Sequence, residues 1–217
     1  MKLLSSLGPN PRAVRMFMLE KNIALPTEEI DLLNAENRSG PYADKNPGAQ
    51  MPSLELDDGT VIAETVPIFE YLDEKFPDTP LVGSNAEERA EARMWQRRVE
   101  LKITEHIYAA FRYGPGLEMY SARQSVFPDM FDDLKSHIDI GVTWLDGLMD
   151  GKTFLCGERF TFGDIILYCA LDFSHGVGLA PANIGSNIER WFEGINARPT
   201  AAASLHEGGT AAGFRGV

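Results

Sequence analysis

The chain has little cysteine, no excess of basic charge and no long apolar run, and each shortage excludes a class of protein. Only two cysteines, Cys156 and Cys169, occur in 217 residues. This argues against a disulfide scaffold and favours a reducing compartment, with both thiols in the core. The chain has 20 basic and 32 acidic residues, which gives a net charge of −12. That balance argues against nucleic acid and anionic membranes as partners.

No stretch approaches the roughly 20 apolar residues of a membrane-spanning helix, and no basic-then-apolar leader opens the sequence. Apolar residues make up 44% of the chain, enough for a sizeable core. We therefore expect a soluble, cytoplasmic protein that does not bind membranes. His106, His137 and His175 are scattered without metal-ligand spacing, so we predict no metal site.

The first half of the sequence alternates strand and helix signals. The pattern predicts strands at 2–5 and 27–32, and a hairpin of strands 53–56 and 61–63 around the turn Asp57-Asp58-Gly59. It predicts helices at 11–21 and 65–76, and a loop with one helical turn at 40–50. This β-α-β, then β-β-α order indicates a small mixed sheet covered by helices.

The second half carries helix signals only. A stretch rich in Pro, Gly, Ser and Asn at 77–85 indicates a boundary between domains at 1–79 and 86–217. Helices are predicted at 86–113, 131–149, 161–173 and 187–197. The helix at 161–173 is nearly all apolar and should be central and buried. Thr161 and Asp164 are spaced as a capping box, a structural signal.

Two separated motifs resemble the cytosolic glutathione transferases. They are "NPGAQMPSLELDDGTVIAETVPIFEYL" at 46–72 and "FTFGD" at 160–164. The resemblance implies an α/β thioredoxin-like N-terminal domain, an all-α helical-bundle C-terminal domain and a homodimer. It also implies that glutathione is the co-substrate, with a small, hydrophobic electrophile as the other substrate.

The resemblance places glutathione on the first domain. It implies a cis Met51-Pro52 bond that turns the backbone of Met51 outward, where a peptide adds like a short strand. An ordinary trans loop proline is the alternative. Glu64 would take the γ-glutamyl ammonium, and Thr65, expected as a helix N-cap, would offer the helix start to the carboxylate. Alternatively, Thr65 only caps the helix and Glu64 is solvated.

Two further side chains are weaker assignments under the same resemblance. Gln50 would reach the glutathione backbone or its glycyl end. Arg38 would neutralise the glycyl carboxylate, although a solvated loop arginine fits equally well.

The turn "SSLGPNP" at 5–11 departs from the common family pattern. Gly8 stands where many relatives carry a catalytic serine, so Ser6 or Ser5 would have to take that role. Asn10 matches the sulfur-side asparagine of one bacterial branch. The chain most resembles a fungal and bacterial branch that uses no Tyr, Ser or Cys there and depends on the helix start.

Local signals favour that last interpretation. Asn10 and Pro11 suit the N-cap and first position of a helix, which would leave the backbone N–H groups of Arg12 and Ala13 facing the turn. Arg12 and Arg15 would add positive charge; alternatively, Arg12 pairs with a carboxylate and Arg15 is solvated. Lowering a thiol pKa by two units takes about 2.7 kcal/mol. A helix dipole of roughly 0.3–1 kcal/mol plus one charged hydrogen bond of about 1.5–3 kcal/mol suffices without serine.

The electrophile site is expected between the domains, near the end of helix 86–113, where the candidates are Tyr108, Phe111, Arg112 and Tyr113, with Met119 and Tyr120 beyond. Alternatively, the aromatic residues among them are core or dimer contacts. Arg112 is the most informative, because an arginine in an apolar stretch needs an anionic partner. Glutathione-dependent isomerase, dehalogenase or peroxidase chemistry remains open, as does a non-catalytic glutathione-binding protein. Thiol-disulfide chemistry is disfavoured because the turn has no cysteine.

Overall fold

The computed structural model describes residues 1–211 and 216–217. Its first half contains a four-stranded sheet in the order β2-β1-β3-β4. The strands are β1 (Lys2–Ser5), β2 (Thr27–Glu29), β3 (Ser53–Glu55) and β4 (Val61–Ala63). β2 pairs in parallel with β1, whereas the β1–β3 and β3–β4 pairs are antiparallel. The predicted mixed sheet is confirmed, with β2 shorter than expected because the chain leaves this edge after Glu29.

Three helices accompany the sheet: α1 (Pro9–Glu20), α2 (Gly40–Lys45) and α3 (Thr65–Lys75). α1 and α3 pack together through Phe17 and Phe69, whose stacked rings lie 4.4 Å apart. Both rings and Leu54 of β3 are fully buried, so they form the core of this half. The sequence suggested only a loop and one turn where α2 forms. α2 is stabilised by Tyr42, a buried residue that anchors it to the loop before β3.

The second half is helical, as predicted. The helix expected at 86–113 is continuous but consists of α4 (Ala86–Val99), a π-helical segment (Glu100–Thr104) and α5 (Glu105–Tyr113). The rest comprises α6 (Leu117–Ser121), α7 (Phe131–Leu148), α8 (Phe162–Gly176), α9 (Ser186–Asn196), α10 (Pro199–Ala203) and α11 (Glu207–Ala211). No helix in the described ranges is long and apolar enough to cross a membrane.

α8 is the central helix of this half and is buried along nearly its whole length. The predicted capping box begins it: the Asp164 carboxylate accepts the N–H of Thr161 at 2.9 Å. The same carboxylate accepts the N–H of Leu155 at 2.9 Å and the indole N–H of Trp191 at 3.0 Å. Both cysteines are buried and free, as predicted. The 161–164 motif is therefore a structural junction of α8, α9 and the preceding loop.

Arg12 ties the two halves together from within α1. It is 1% exposed, and its guanidinium lies 2.6 Å from the Asp172 carboxylate of α8. It also donates to the Ser204 hydroxyl at 3.2 Å. The alternative prediction, that Arg12 pairs with a carboxylate, is confirmed. The prediction that Arg15 is solvated is wrong, because its guanidinium donates to the Ser204 carbonyl at 2.9 Å and to the Ser5 hydroxyl at 3.2 Å.

Candidate functional site

The predicted site residues that line a cavity lie in two of the cavities between the halves, and most of them lie in the first. The main cavity encloses about 840 Å³, its open mouth included. Its walls come from the turn before α1, the loops around α2, and the α5–α6 region. It is lined by Leu7, Gly8, Pro9, Asn10, Pro11, Leu32, Leu33, Asn37, Arg38, Gln50, Met51, Tyr108, Phe111, Arg112, Met119, Tyr120, Arg123, Phe173 and Val217.

The second cavity, here the glutamate cavity, adjoins the start of α3. It is lined by Asn10, Glu64, Thr65, Val66, Pro67, Gln96, Glu100, Thr104, Glu105, Tyr108 and Ile166. Asn10 and Tyr108 line both cavities. Asn10, at the start of α1, therefore marks the place where the two cavities meet.

The two cavities carry opposite charges. Arg38, Arg112 and Arg123 line the main cavity, and its described lining includes no acidic side chain. Three glutamates line the other cavity, whose described lining includes no lysine or arginine: Glu64, Glu100 and Glu105. A ligand that spans both cavities therefore meets a positive wall on one side and a negative wall on the other.

The start of α1 differs from the sequence prediction. The N-cap is Gly8, at φ 125, and the helix already begins at Pro9, so Asn10 is not the cap. A residue with a Cβ rarely adopts this φ, which explains the glycine. The backbone N–H of Arg12 donates to the Gly8 carbonyl at 3.1 Å, so it does not face a ligand as predicted. Prolines 9 and 11 have no N–H, which leaves the N–H of Asn10 as the available donor of the first turn.

The serines before the turn are used inside the fold. The Ser6 hydroxyl donates to the Ile30 carbonyl at 2.6 Å, and Ser6 is 1% exposed. Ser5 is equally buried and accepts from Arg15. Neither serine lines either cavity, because both belong to the end of β1 and the chain leaving it. Their positions do not favour the catalytic role considered for Ser6.

The residues assigned to the middle of glutathione lie together at the main cavity. The Met51-Pro52 peptide is cis, as the resemblance implied. The backbone N–H and C=O of Met51 have no partner among the described residues, and Met51 lines the cavity. Gln50 lies exposed beside it. Arg38 also lines the cavity and donates to the Arg123 carbonyl at 3.0 Å, so it is not a solvated loop residue.

Glu64 and Thr65 lie in the glutamate cavity, with one correction. Glu64, at φ 70, is the N-cap residue of α3, and Thr65 is its first helical residue rather than its cap. The first backbone bond at this end runs from the Ile68 N–H to the Glu64 carbonyl at 3.2 Å. The N–H groups of Thr65 and Val66 precede that bond and face the start of the helix. This end of α3 therefore offers two donors and a positive dipole beside a carboxylate.

Three of the four residues predicted for the electrophile line the main cavity: Tyr108, Phe111 and Arg112. Tyr113 does not; its ring packs edge-on against Phe127, with centroids 5.8 Å apart. Tyr108 is 8% exposed, and burial raises the pKa of its phenol well above the usual value. At neutral pH this hydroxyl is therefore protonated and able to donate a hydrogen bond.

Two features were missed in the sequence. Arg123 ends a strap, residues 117–123, by donating to the carbonyls of Leu32 at 2.9 Å and Leu33 at 2.6 Å. His106 and His137, predicted as scattered, stack with ring centroids 4.9 Å apart. Burial and the neighbouring ring lower the pKa of His106. No group of three or more metal-ligating side chains occurs in the part of the chain that is described.

Comparison with known proteins identifies the class. The model of the glutathione S-transferase N-terminal domain matches residues 8–75, and that of the C-terminal domain matches residues 123–199. The chain belongs to the glutathione S-transferase family, which confirms the predicted family and the fold of both halves.

Similar proteins indicate the branch of the family. The crystal structure of Gtt2 from Saccharomyces cerevisiae is 26% identical, with a TM-score of 0.85, over 94% of this chain and 100% of that one. A glutathione S-transferase domain-containing protein from Marinobacter aquaeolei VT8 is 32% identical, with a TM-score of 0.83, over 92% of this chain and 99% of that one. A probable maleylacetoacetate isomerase from Caenorhabditis elegans is 39% identical over 168 residues, 74% of each chain. The predicted likeness to a fungal and bacterial branch is confirmed.

Proposed function

We propose that this protein is a glutathione transferase that joins the glutathione thiolate to a small electrophile in the main cavity. The observation that carries the proposal is the position of Asn10, which lines both cavities at the start of α1. Glutathione extends from one cavity to the other, with its sulfur beside Asn10. The remaining apolar wall of the main cavity receives the electrophile.

The charges of the two cavities suit the two ends of glutathione. In the glutamate cavity, Glu64 faces the γ-glutamyl ammonium, and the first N–H groups of α3 take the adjacent carboxylate. In the main cavity, the backbone of Met51 pairs with the cysteinyl residue. Gln50 and Arg38, which line the same cavity, hold the glycyl end.

Asn10 and Tyr108 supply the donors that activate the thiol. A pKa lowered from about 8.5 by two units takes about 2.7 kcal/mol. The helix start supplies roughly 0.3–1 kcal/mol, and one hydrogen bond to the charged sulfur about 1.5–3 kcal/mol. Asn10 offers a backbone N–H and a side-chain amide, and the protonated phenol of Tyr108 is a second donor. The thiol proton leaves to solvent, and the sulfur forms a bond to the electrophilic carbon as its leaving group departs.

Asn10→Ala tests the activation. Because Gly8 is the N-cap, alanine at position 10 removes the side-chain amide without removing a helix cap. We expect turnover to fall about tenfold or more, and the apparent pKa of bound glutathione to rise by about one unit. Thiolate absorbance measured against pH gives the second quantity. Ser6→Ala should keep turnover within about tenfold; loss of activity there, with fold and affinity intact, would return the role to serine.

The glutathione site has its own test. Glu64→Ala combined with Thr65→Val removes a charge and a polar side chain from the glutamate cavity. We expect glutathione to bind at least about tenfold more weakly in calorimetry. Unchanged affinity would reject this end of the site.

A glutathione-dependent isomerase is the second candidate, supported by the similarity to the probable maleylacetoacetate isomerase. Conjugation consumes glutathione, whereas isomerisation returns it. Measuring free thiol during turnover therefore distinguishes the two reactions.

We also propose that the chain forms a homodimer. Met94 of α4 and Leu101 of the π segment are 41% and 52% exposed, apolar surface suited to a partner. A closed, two-fold dimer is the arrangement that such a surface favours. Light scattering at micromolar concentration should give the mass of two chains, and the mass of one chain would contradict the proposal.

A further inference from the structure

Of the three arginines that line the main cavity, two have hydrogen-bond partners within the fold. Arg38 donates to the Arg123 carbonyl at 3.0 Å. Arg123 itself donates to the carbonyls of Leu32 and Leu33 at 2.9 and 2.6 Å. Arg112 has neither a hydrogen bond nor an ion pair with any described residue. Its guanidinium is therefore available to a ligand.

Aromatic and other apolar side chains line the main cavity together with Arg112. It lies half-buried in the last turn of α5, with its guanidinium carbon 5.9 Å from the centre of the Tyr120 ring. Phe111 and Met119 line the same cavity, and its described lining includes no acidic side chain. A half-buried cation loses hydration, and an apolar wall does not replace it. In a chain of net charge −12, a cavity with three arginines and no acidic side chain selects an anion.

We propose that the electrophile of this enzyme carries a carboxylate, which Arg112 binds while the aromatic wall holds the rest of the molecule. This inference rests on the proposed transferase function and narrows its substrates to small aromatic or unsaturated carboxylic acids. The planar guanidinium can hold a carboxylate through two parallel N–H bonds, which fixes its orientation as well as its charge.

The glycyl carboxylate of glutathione is a different anion with a different partner. Arg38 belongs to the α/β half, as do Gln50 and Met51, which line the cavity with it. Arg112 belongs to the helical half, and its neighbours on the wall are Phe111 and Tyr120. Two arginines from two different halves thus serve two carboxylates, one from each substrate.

A pair of matched electrophiles tests the inference. In 4-chloro-3-nitrobenzoate, the glutathione sulfur attacks the ring carbon that bears chlorine. A carbon–sulfur bond forms, the carbon–chlorine bond breaks, chloride leaves with the electron pair, and the thiol proton goes to solvent. The neutral 4-chloro-3-nitrobenzamide undergoes the same reaction with nearly the same shape. Dividing each kcat/KM by the uncatalysed rate constant removes the difference in intrinsic reactivity.

We expect the unmodified protein to prefer the benzoate by about tenfold or more in this ratio. Arg112→Gln should lower the benzoate value by about 10- to 100-fold and leave the benzamide value within about twofold. Arg112→Lys should retain part of the preference, because lysine keeps the charge but lacks the planar guanidinium that forms two parallel hydrogen bonds. Arg98→Gln is the control: Arg98 is exposed on α4, contacts the Trp95 ring and lines neither cavity.

Binding of unreactive analogues separates this inference from the proposed function. With saturating glutathione, 3-nitrobenzoate should bind about tenfold or more tightly than 3-nitrobenzamide in calorimetry, and Arg112→Gln should close that gap. If neither chloro compound reacts but 3-nitrobenzoate still binds more tightly than 3-nitrobenzamide, the proposed conjugation reaction is wrong and the anion site at Arg112 is supported. If both compounds react equally well and bind equally well, the inference is overturned and conjugation stands. If Arg112→Gln weakens glutathione binding but keeps the benzoate preference, Arg112 serves glutathione and the inference is overturned.

Discussion

Asp172→Asn should destabilise the fold strongly, because it leaves the guanidinium of Arg12 charged and buried. Arg12 is 1% exposed and lies 2.6 Å from the Asp172 carboxylate. Asparagine keeps the size of the side chain and removes only the charge. Breaking a buried pair from one side typically costs about 3–5 kcal/mol, since the remaining charge has no counter-charge.

The other partners of Arg12 place the expected loss in the lower part of that range. Arg12 also donates to the Ser204 hydroxyl at 3.2 Å and to the Ala201 carbonyl at 3.0 Å. These neutral acceptors remain, and each contributes about 0.5–1.5 kcal/mol. We therefore expect a loss of about 3 kcal/mol, a large part of the roughly 5–15 kcal/mol by which proteins are stable.

Urea unfolding followed by tryptophan fluorescence measures this loss. With a slope of about 2–3 kcal/mol per molar urea, the midpoint should fall by about 1–1.5 M. Protein concentration is held fixed, because dimerisation adds to apparent stability. Glu70→Gln is the matched control: it breaks an exposed pair with Arg93 and should cost less than about 1 kcal/mol.

If Asp172→Asn costs no more than Glu70→Gln, the buried pair with Arg12 does not hold the halves together. A further variant that combines Arg12→Met with Asp172→Leu removes both charges. It should recover much of the stability lost in Asp172→Asn.

Three further predictions concern other parts of the fold. Gly141→Ala should cost about 1–3 kcal/mol or more, since its methyl would lie 2.2 Å from a carbonyl of the π segment; Gly147→Ala, with open space, should slightly raise the melting temperature. Burial raises the pKa of Glu20, but hydrogen bonds, chiefly from Arg198, outweigh it and hold the pKa below 4.5. Its carboxylate thus stabilises the fold above pH 4.5, so the destabilisation by Glu20→Gln in urea should be present at pH 7 and fade as pH falls below about 4.5. Arg123→Gln should speed amide hydrogen exchange in the strap while the global unfolding free energy changes little.

The elements and the family were predictable because their signals are local. A hairpin turn at 57–59, an apolar run at 161–173 and a break at 77–85 each depend on neighbouring residues only. The main-cavity positions of Arg38 and Met51 were expected from the family resemblance rather than from any physical signal in the loop.

The start of each helix and the partner of each charge were harder to predict. Asn10 and Thr65 are favourable caps, yet Gly8 and Glu64 take that position, each with positive φ, and the capping preferences of Asn and Thr do not indicate this. Arg12 reaches Asp172 across 160 positions of the chain, a contact that only the packing of α1 on α8 creates. No local sequence signal indicates such a pair.

The π-helical segment makes the cavity walls sensitive to the length of one helix. Its i→i+5 hydrogen bonds accommodate one residue more than a regular helical turn would hold. Deleting a single residue there would restore the regular helix and rotate α5 about its axis by about 100° relative to α4. Tyr108 and Arg112 would turn away from both cavities, although neither had been mutated. The length of this helix, as well as the identity of the lining residues, can thus change the substrate preference of proteins with this fold.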